Sequence, residues 1–136
     1  MDDLELIEYY ISKSETLIDE AAENALKKYV KYNSAQFIVS LEKSEEAKDY
    51  IAGNYPEDLS NYPFIKEETM ATNKTSKQVA DDIISKKSEW VAISSKIEGE
   101  RLRGKTNVRN MKDKKDIGKE ELREVMMKSI TIIRNL

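Results

Sequence analysis

The sequence has no cysteine and no histidine, and it has only four glycines and two prolines. Without cysteine the chain has no disulfide bond and no thiol nucleophile, and without either residue it lacks the usual ligands of zinc. So few glycines and prolines allow few tight turns, which argues against a fold of many β-strands. No apolar run approaches the ~18 residues that a membrane span needs, so no membrane contact is predicted.

Charged residues are abundant instead, at 36% of the 136 residues, with a net charge of −3. They are unevenly divided along the chain. Residues 1–68 have 7 basic and 16 acidic side chains, whereas residues 69–136 have 16 basic and 10 acidic ones. The simplest interpretation is an acidic helix layer that packs against a basic one within the molecule. The alternative is a dipolar surface that meets partners of opposite charge.

Apolar residues recur at spacings of three and four over most of the chain, which predicts an all-α fold of long amphipathic helices. The expected helices cover residues 3–31, 35–52, 64–72, 76–111 and 120–135. The start of the second, Phe37-Ile38-Val39, could also form a strand, and Thr75 with Gln78 forms a capping box before the fourth. We expect a helical hairpin or bundle, with a helical core domain over 1–112 and a C-terminal charged break and terminal helix over 113–136.

A seven-residue repeat runs along the fourth helix. Its members are Ile83, Trp90, Ile97, Gly104 and Met111. This spacing places all five on one face, as in a coiled coil, and glycine there allows another helix to approach closely. The face predicts either packing within the molecule or coiled-coil contacts with another chain, and its five residues are the candidate partner-binding residues.

A basic patch follows in the same region, with a charge of +6 over fifteen residues. It consists of Arg101, Arg103, Lys105, Arg109, Lys112, Lys114 and Lys115. A helix with this charge could neutralise phosphates of a nucleic acid in a salt-sensitive way. No aromatic residue for base stacking follows Trp90. Pairing with the acidic first half, or with an acidic partner protein, is therefore the favoured interpretation, and nucleic acid is the alternative.

Residues 99–106, GERLRGKT, match the phosphate-loop pattern G-x-x-x-x-G-K-[ST]. That loop binds phosphates through backbone N–H groups between a buried strand and a helix. The residues before Gly99 have helical spacing and include charged Lys86, Lys87 and Lys96, so the required strand is missing. We expect this segment to be helical and predict no nucleotide, no other cofactor and no catalytic residue.

Between Tyr32 and Lys105 the chain resembles a type of small helical protein encoded among tail-region genes of tailed bacteriophages and prophages. The residues that carry the resemblance are Glu42-Lys43, Glu46-Ala47, Tyr50, Tyr62-Pro63-Phe64-Ile65, Glu67-Glu68, Val79-Ala80, Ile83-Ile84, Trp90, Ile97-Glu98, Arg101 and Gly104-Lys105. The basic stretch beyond Lys105 and the last helix extend past the usual end of the family.

The resemblance implies a virion-associated structural or assembly protein, made in the host cytoplasm, whose partners are other tail or virion proteins or further copies of itself. It also favours a helix over residues 99–106. A nucleic-acid-binding or nucleic-acid-mimicking accessory protein, such as an inhibitor of host defence, is the alternative function. Neither function is enzymatic.

Overall fold

The computed structural model describes residues 2–30, 34–114 and 118–136, and within these ranges it has helices and no strand. The helices are α1 (Asp3–Lys27), α2 (Ser34–Ala52), α3 (Pro63–Thr72), α4 (Ser76–Asn110) and α5 (Lys119–Arg134), with a 3₁₀ turn at Met111–Asp113 between the last two. None of these helices combines the length and apolar character needed to cross a membrane. The predicted all-α class is confirmed.

Local signals explain where the helices begin. Asp2 and Glu5 form a capping box at the start of α1, with the Glu5 N–H donating to Asp2 Oδ1 at 2.8 Å. Thr75 and Gln78 form the predicted one at α4, where the Gln78 N–H donates to Thr75 Oγ1 at 3.1 Å. The segment Phe37-Ile38-Val39 is part of α2, so the helical interpretation holds there.

The chain divides into two compact units. Unit 1 comprises Met1–Tyr29 and Ile93–Leu136, and it contains α1, the second part of α4 and α5. These helices share one hydrophobic core, to which α1 contributes Ile11, Ile18 and three alanines, and α5 contributes Leu122, Met126, Ile130 and Ile133. Residues on both sides of the predicted boundary after residue 112 belong to unit 1, and the division at that boundary stays a prediction.

Unit 2 comprises Val30–Ala92, with α2, α3 and the first part of α4. Its core consists of Ala47, Tyr50, Ile65, Val79, Ala80 and Ile83. The Tyr50 ring makes edge-to-face contacts with Tyr55 and Tyr62, at centroid distances of 5.7 and 5.1 Å. Tyr55 and Tyr62 therefore extend this small core into the segment between α2 and α3.

Candidate interaction surfaces

The basic patch lies against the acidic face of α1 in unit 1. Asp19 accepts hydrogen bonds from Arg101 Nη1 at 2.8 Å and from Lys105 Nζ at 3.0 Å. Arg109, about two turns after Arg101 in α4, donates hydrogen bonds to both Glu8 and Glu15. The order of these pairs shows that α4 runs antiparallel to α1. It also confirms that an acidic helix layer packs against a basic one within the molecule.

The remaining members of the patch also have carboxylate partners. Lys112 Nζ lies 3.1 Å from Glu8 Oε2, and Lys114 Nζ lies 3.5 Å from Glu121 Oε1. Arg103 pairs with Glu100, whose side chain is buried although the arginine itself is largely exposed. Lys115 lies outside the described residues. Each of the six described members therefore already has a carboxylate partner in the protein, with which an external phosphate would have to compete.

These contacts set the protonation of the acidic partners. Hydrogen bonds from Arg109 and Lys112 lower the pKa of Glu8 below its ordinary 4.5. Desolvation raises the pKa of Asp19, but the hydrogen bonds from Arg101 and Lys105 outweigh it and leave the pKa below the ordinary 3.8. Both carboxylates are thus charged at neutral pH, as the pairing requires.

The α1–α4 pairing predicts a loss of stability in acid. Glu8 and Asp19 have lower pKa values in the folded chain than their ordinary 4.5 and 3.8, so their ion pairs stabilise the fold fully when the pH is above those ordinary values. This stabilisation is lost as the pH falls through the lower pKa values of the folded state. We expect the urea midpoint of unfolding to change little between about pH 7 and 5 and to fall below about pH 4. The double variant Glu8→Gln, Asp19→Asn should show a smaller fall in acid. An equal pH dependence in the variant would contradict this role.

The seven-residue repeat of α4 is mostly interior. Ile97, Gly104 and Met111 are buried in unit 1, Ile83 is buried in unit 2, and Trp90 is half-buried. A Cβ added at Gly104 would lie 2.7 Å from Ser129 Cβ of α5, so this glycine allows the close approach of the two helices. Four of the five candidate partner-binding residues therefore stabilise the chain's own cores, because a helix buried on one face presents its repeat inward.

Exposed apolar side chains lie elsewhere, and the sequence analysis did not select them. On unit 2 they include Ile38 and Leu41 of α2 and Val91 of α4, which are 59%, 49% and 51% exposed. Glu45 of α2 pairs with Lys87 of α4 at 3.6 Å. Since Tyr55, after α2, donates to Asp81, earlier in α4, the two helices run antiparallel.

Leu41 lies one turn before Glu45 on α2, and Val91 lies one turn after Lys87 on α4. Because the helices are antiparallel, Leu41 and Val91 both lie on the same side of the Glu45–Lys87 pair along the helix axes. Ile38 adds a further turn on α2. We call Ile38, Leu41 and Val91 the α2–α4 patch. The sequence signal that points to this patch is the apolar start of α2, which comes before the residues that α2 buries.

The segment that matches the phosphate-loop pattern is helical in the structure. Residues 99–106 lie within α4, so their backbone N–H groups cannot curl around a phosphate. No group of three or more carboxylates in the described ranges could hold a metal ion.

Comparison with known proteins gives no match: no family model, no curated protein and no solved structure is similar to this chain.

Proposed function

We propose that the chain is a non-enzymatic structural or assembly protein of bacteriophage type, a helical module that docks on a tail or virion particle. The observation that supports this most is the α2–α4 patch, where three aliphatic side chains are about half exposed. Aliphatic side chains exposed together on neighbouring helices favour contact with another protein surface.

Two antiparallel helices carry the patch, and the Glu45–Lys87 pair lies at one end, where a polar rim would limit how far a partner extends. An amphipathic helix of a tail or virion protein could place its apolar residues between Leu41 and Val91, in contacts of the coiled-coil type. In this proposal the particle partner binds to the surface of unit 2, whereas the buried repeat of α4 serves the fold.

The nucleic-acid alternative has weaker support. Each described member of the basic patch already pairs with a carboxylate, and three such pairs involve Asp19 or Glu15 of α1. A phosphate would have to displace these carboxylates. The same pairs occupy acidic groups that a nucleic-acid mimic would display. Nucleic-acid binding by the basic patch would therefore compete with the carboxylates of the chain itself.

The docking proposal can be tested with tagged protein in phage-producing bacteria. We expect the chain to co-purify with particles and to be found by mass spectrometry of purified virions or assembly intermediates. Leu41→Glu should lower that recovery at least about tenfold, the effect of losing ~1.4 kcal/mol of binding free energy. The matched control is Leu102→Glu, since Leu102 is 51% exposed on the other unit, and it should leave recovery unchanged.

Two results would contradict the proposal. One is recovery of Leu41→Glu at the level of the unchanged protein. The other is absence from particles together with tight duplex-DNA binding at ~0.15 M salt, lost when Arg101, Arg103, Lys105 and Arg109 become alanine. We expect only weak DNA binding that vanishes near that salt concentration.

A further inference from the structure

Helix α1 presents a second exposed surface, on unit 1, whose members belong neither to the core nor to the α1–α4 ion pairs. Its members follow one another at helical spacing along the flank of α1 beside α5. We call this set the α1 stripe: Leu6, Lys13, Leu17, Glu20, Asn24 and Lys28, all exposed. Leu17 is at its centre and is 44% exposed, although it is aliphatic. Tyr9, also exposed, borders the stripe.

A groove runs beside the stripe, between α1 and α5, with a volume of about 200 Å³. Leu17 and Ala21 line it from α1, and Met127 and Ile130 line it from α5. Its rim is polar, with Glu20 and Asn24 on α1 and Arg134 on α5. A groove with methionine in its wall suits an inserted side chain of another helix, because methionine adapts its shape.

The charges of α1 are arranged so that two copies of the helix are complementary when they lie antiparallel. Its first turn is acidic, with Asp3 and Glu5. Its end is basic, with Lys27, which lies 3.8 Å from Glu23, and the C-cap Lys28, which donates to the Arg134 carbonyl at 3.2 Å. Lys13 and Glu20 lie on opposite sides of Leu17, at four and three residues from it. In the described part of the chain Glu20 has no ion-pair partner, and Lys13 contacts only the Tyr9 ring, at 5.4 Å.

We propose that a second copy of this chain binds to the α1 stripe, with the two α1 helices antiparallel and Leu17 on the twofold axis. In that register each Lys13 faces Glu20 of the other copy. The acidic first turn of each helix lies within about one turn of the basic end of the other, and the helix dipoles oppose each other favourably. Tyr9 of one copy lies over the groove beside Asn24 of the other, and tyrosine is enriched at such interfaces.

The surface approaches the size of a stable dimer interface. Helix α1 has 25 residues, so it is roughly 37 Å long, and α5 beside it has 16 residues and is roughly 24 Å long. A strip along both helices, each roughly 10 Å wide, covers on the order of 600 Å². Stable interfaces bury about 800 Å² per partner. A twofold arrangement also closes on itself, so it gives dimers and not filaments.

This inference is independent of the docking proposal, because it uses α1 of unit 1 and not the α2–α4 patch. The first test is the solution mass of the purified chain by sedimentation equilibrium. We expect about twice the chain mass of 15.7 kDa. Leu17→Glu should give the single-chain mass, since it places two carboxylates together on the axis, while Leu102→Glu should leave the dimer intact. Circular dichroism would verify that both variants remain helical.

A charge exchange tests the antiparallel register itself. Lys13→Glu and Glu20→Lys should each weaken the dimer at least about tenfold, because like charges then face each other twice. An equimolar mixture of the two variants should recover the dimer, since in a mixed pair each substituted side chain faces one of opposite charge, and so does each unchanged one. A single-chain mass for the unchanged protein, or a mixture no tighter than either variant alone, would overturn the inference.

Discussion

Replacement of Gly104 by alanine should lower the free energy of unfolding by roughly 1–2 kcal/mol. The new Cβ would lie 2.6 Å from Ser129 Oγ and 3.3 Å from Ile18 Cδ1, and Ser129 is itself buried. Overpacking of this kind costs about 1–3 kcal/mol. Alanine has a higher helix propensity than glycine by up to ~1 kcal/mol, which offsets only part of that cost. Urea denaturation followed by circular dichroism measures the difference.

Gly99 provides the matched control, because it lies five residues earlier in the same helix. A Cβ added there would meet no atom within 4 Å. Gly99→Ala should therefore raise the free energy of unfolding by about 0.5–1 kcal/mol, through helix propensity alone. Opposite signs for the same substitution identify Gly104 as a packing site. A stabilising effect at both positions would show that α4 and α5 are not in close contact at Gly104.

Replacement of Glu46 by alanine should destabilise unit 2 by about 1–2 kcal/mol, the usual cost of losing a helix N-cap. Tyr62, which precedes α3, makes no capping hydrogen bond with its side chain. Glu46 of α2 supplies the acceptors instead: Oε1 accepts from the Phe64 N–H at 3.1 Å, and Oε2 accepts from the Ile65 N–H at 2.7 Å. Without the carboxylate, two N–H groups at the start of α3 lose their acceptor.

The neighbouring Glu45 serves as the control for this prediction. Its side chain is 64% exposed and pairs with Lys87 at 3.6 Å, so Glu45→Ala should cost about 0–1 kcal/mol, as for a surface ion pair. Trp90 is the sole tryptophan and belongs to unit 2, so its fluorescence during urea denaturation reports on this unit. Glu46→Gln retains one acceptor and should be intermediate. Equal effects for Glu45→Ala and Glu46→Ala would contradict the capping role.

The sequence predicted the helices well because their signals are local. Capping residues such as Thr75 and the spacing of apolar residues act within one or two turns, and the observed α4, Ser76–Asn110, ends one residue before the expected limit. The first helix was drawn too long, since α1 ends at Lys27 and not at residue 31. Helix ends are the least determined part of such a pattern, because the apolar spacing fades there without a strong stop signal.

Contacts between residues that are far apart in the sequence were harder to predict. Charge asymmetry predicted that acidic and basic layers would meet, but it could not show that Arg109 would select Glu8 and Glu15. The repeat of α4 predicted one apolar face, yet periodicity cannot show that Ile83 and Ile97 lie in different cores. The capping of α3 by Glu46 leaves no local pattern in the sequence, because the carboxylate belongs to a residue eighteen positions before Phe64.

The division of the chain has a consequence for synthesis on the ribosome. Unit 2 is one continuous segment, so all of its core residues have been made once Ala92 is added. Unit 1 is discontinuous. Ile11 and Ile18 of α1 share a core with Ile97 and Val108, which follow about eighty residues later or more, and that core is complete only when α5 has been made. At roughly 5–20 residues per second, α1 therefore spends several seconds with its apolar face uncovered. In that interval the nascent chain is open to chaperones and to aggregation, whereas the inserted segment can already be folded.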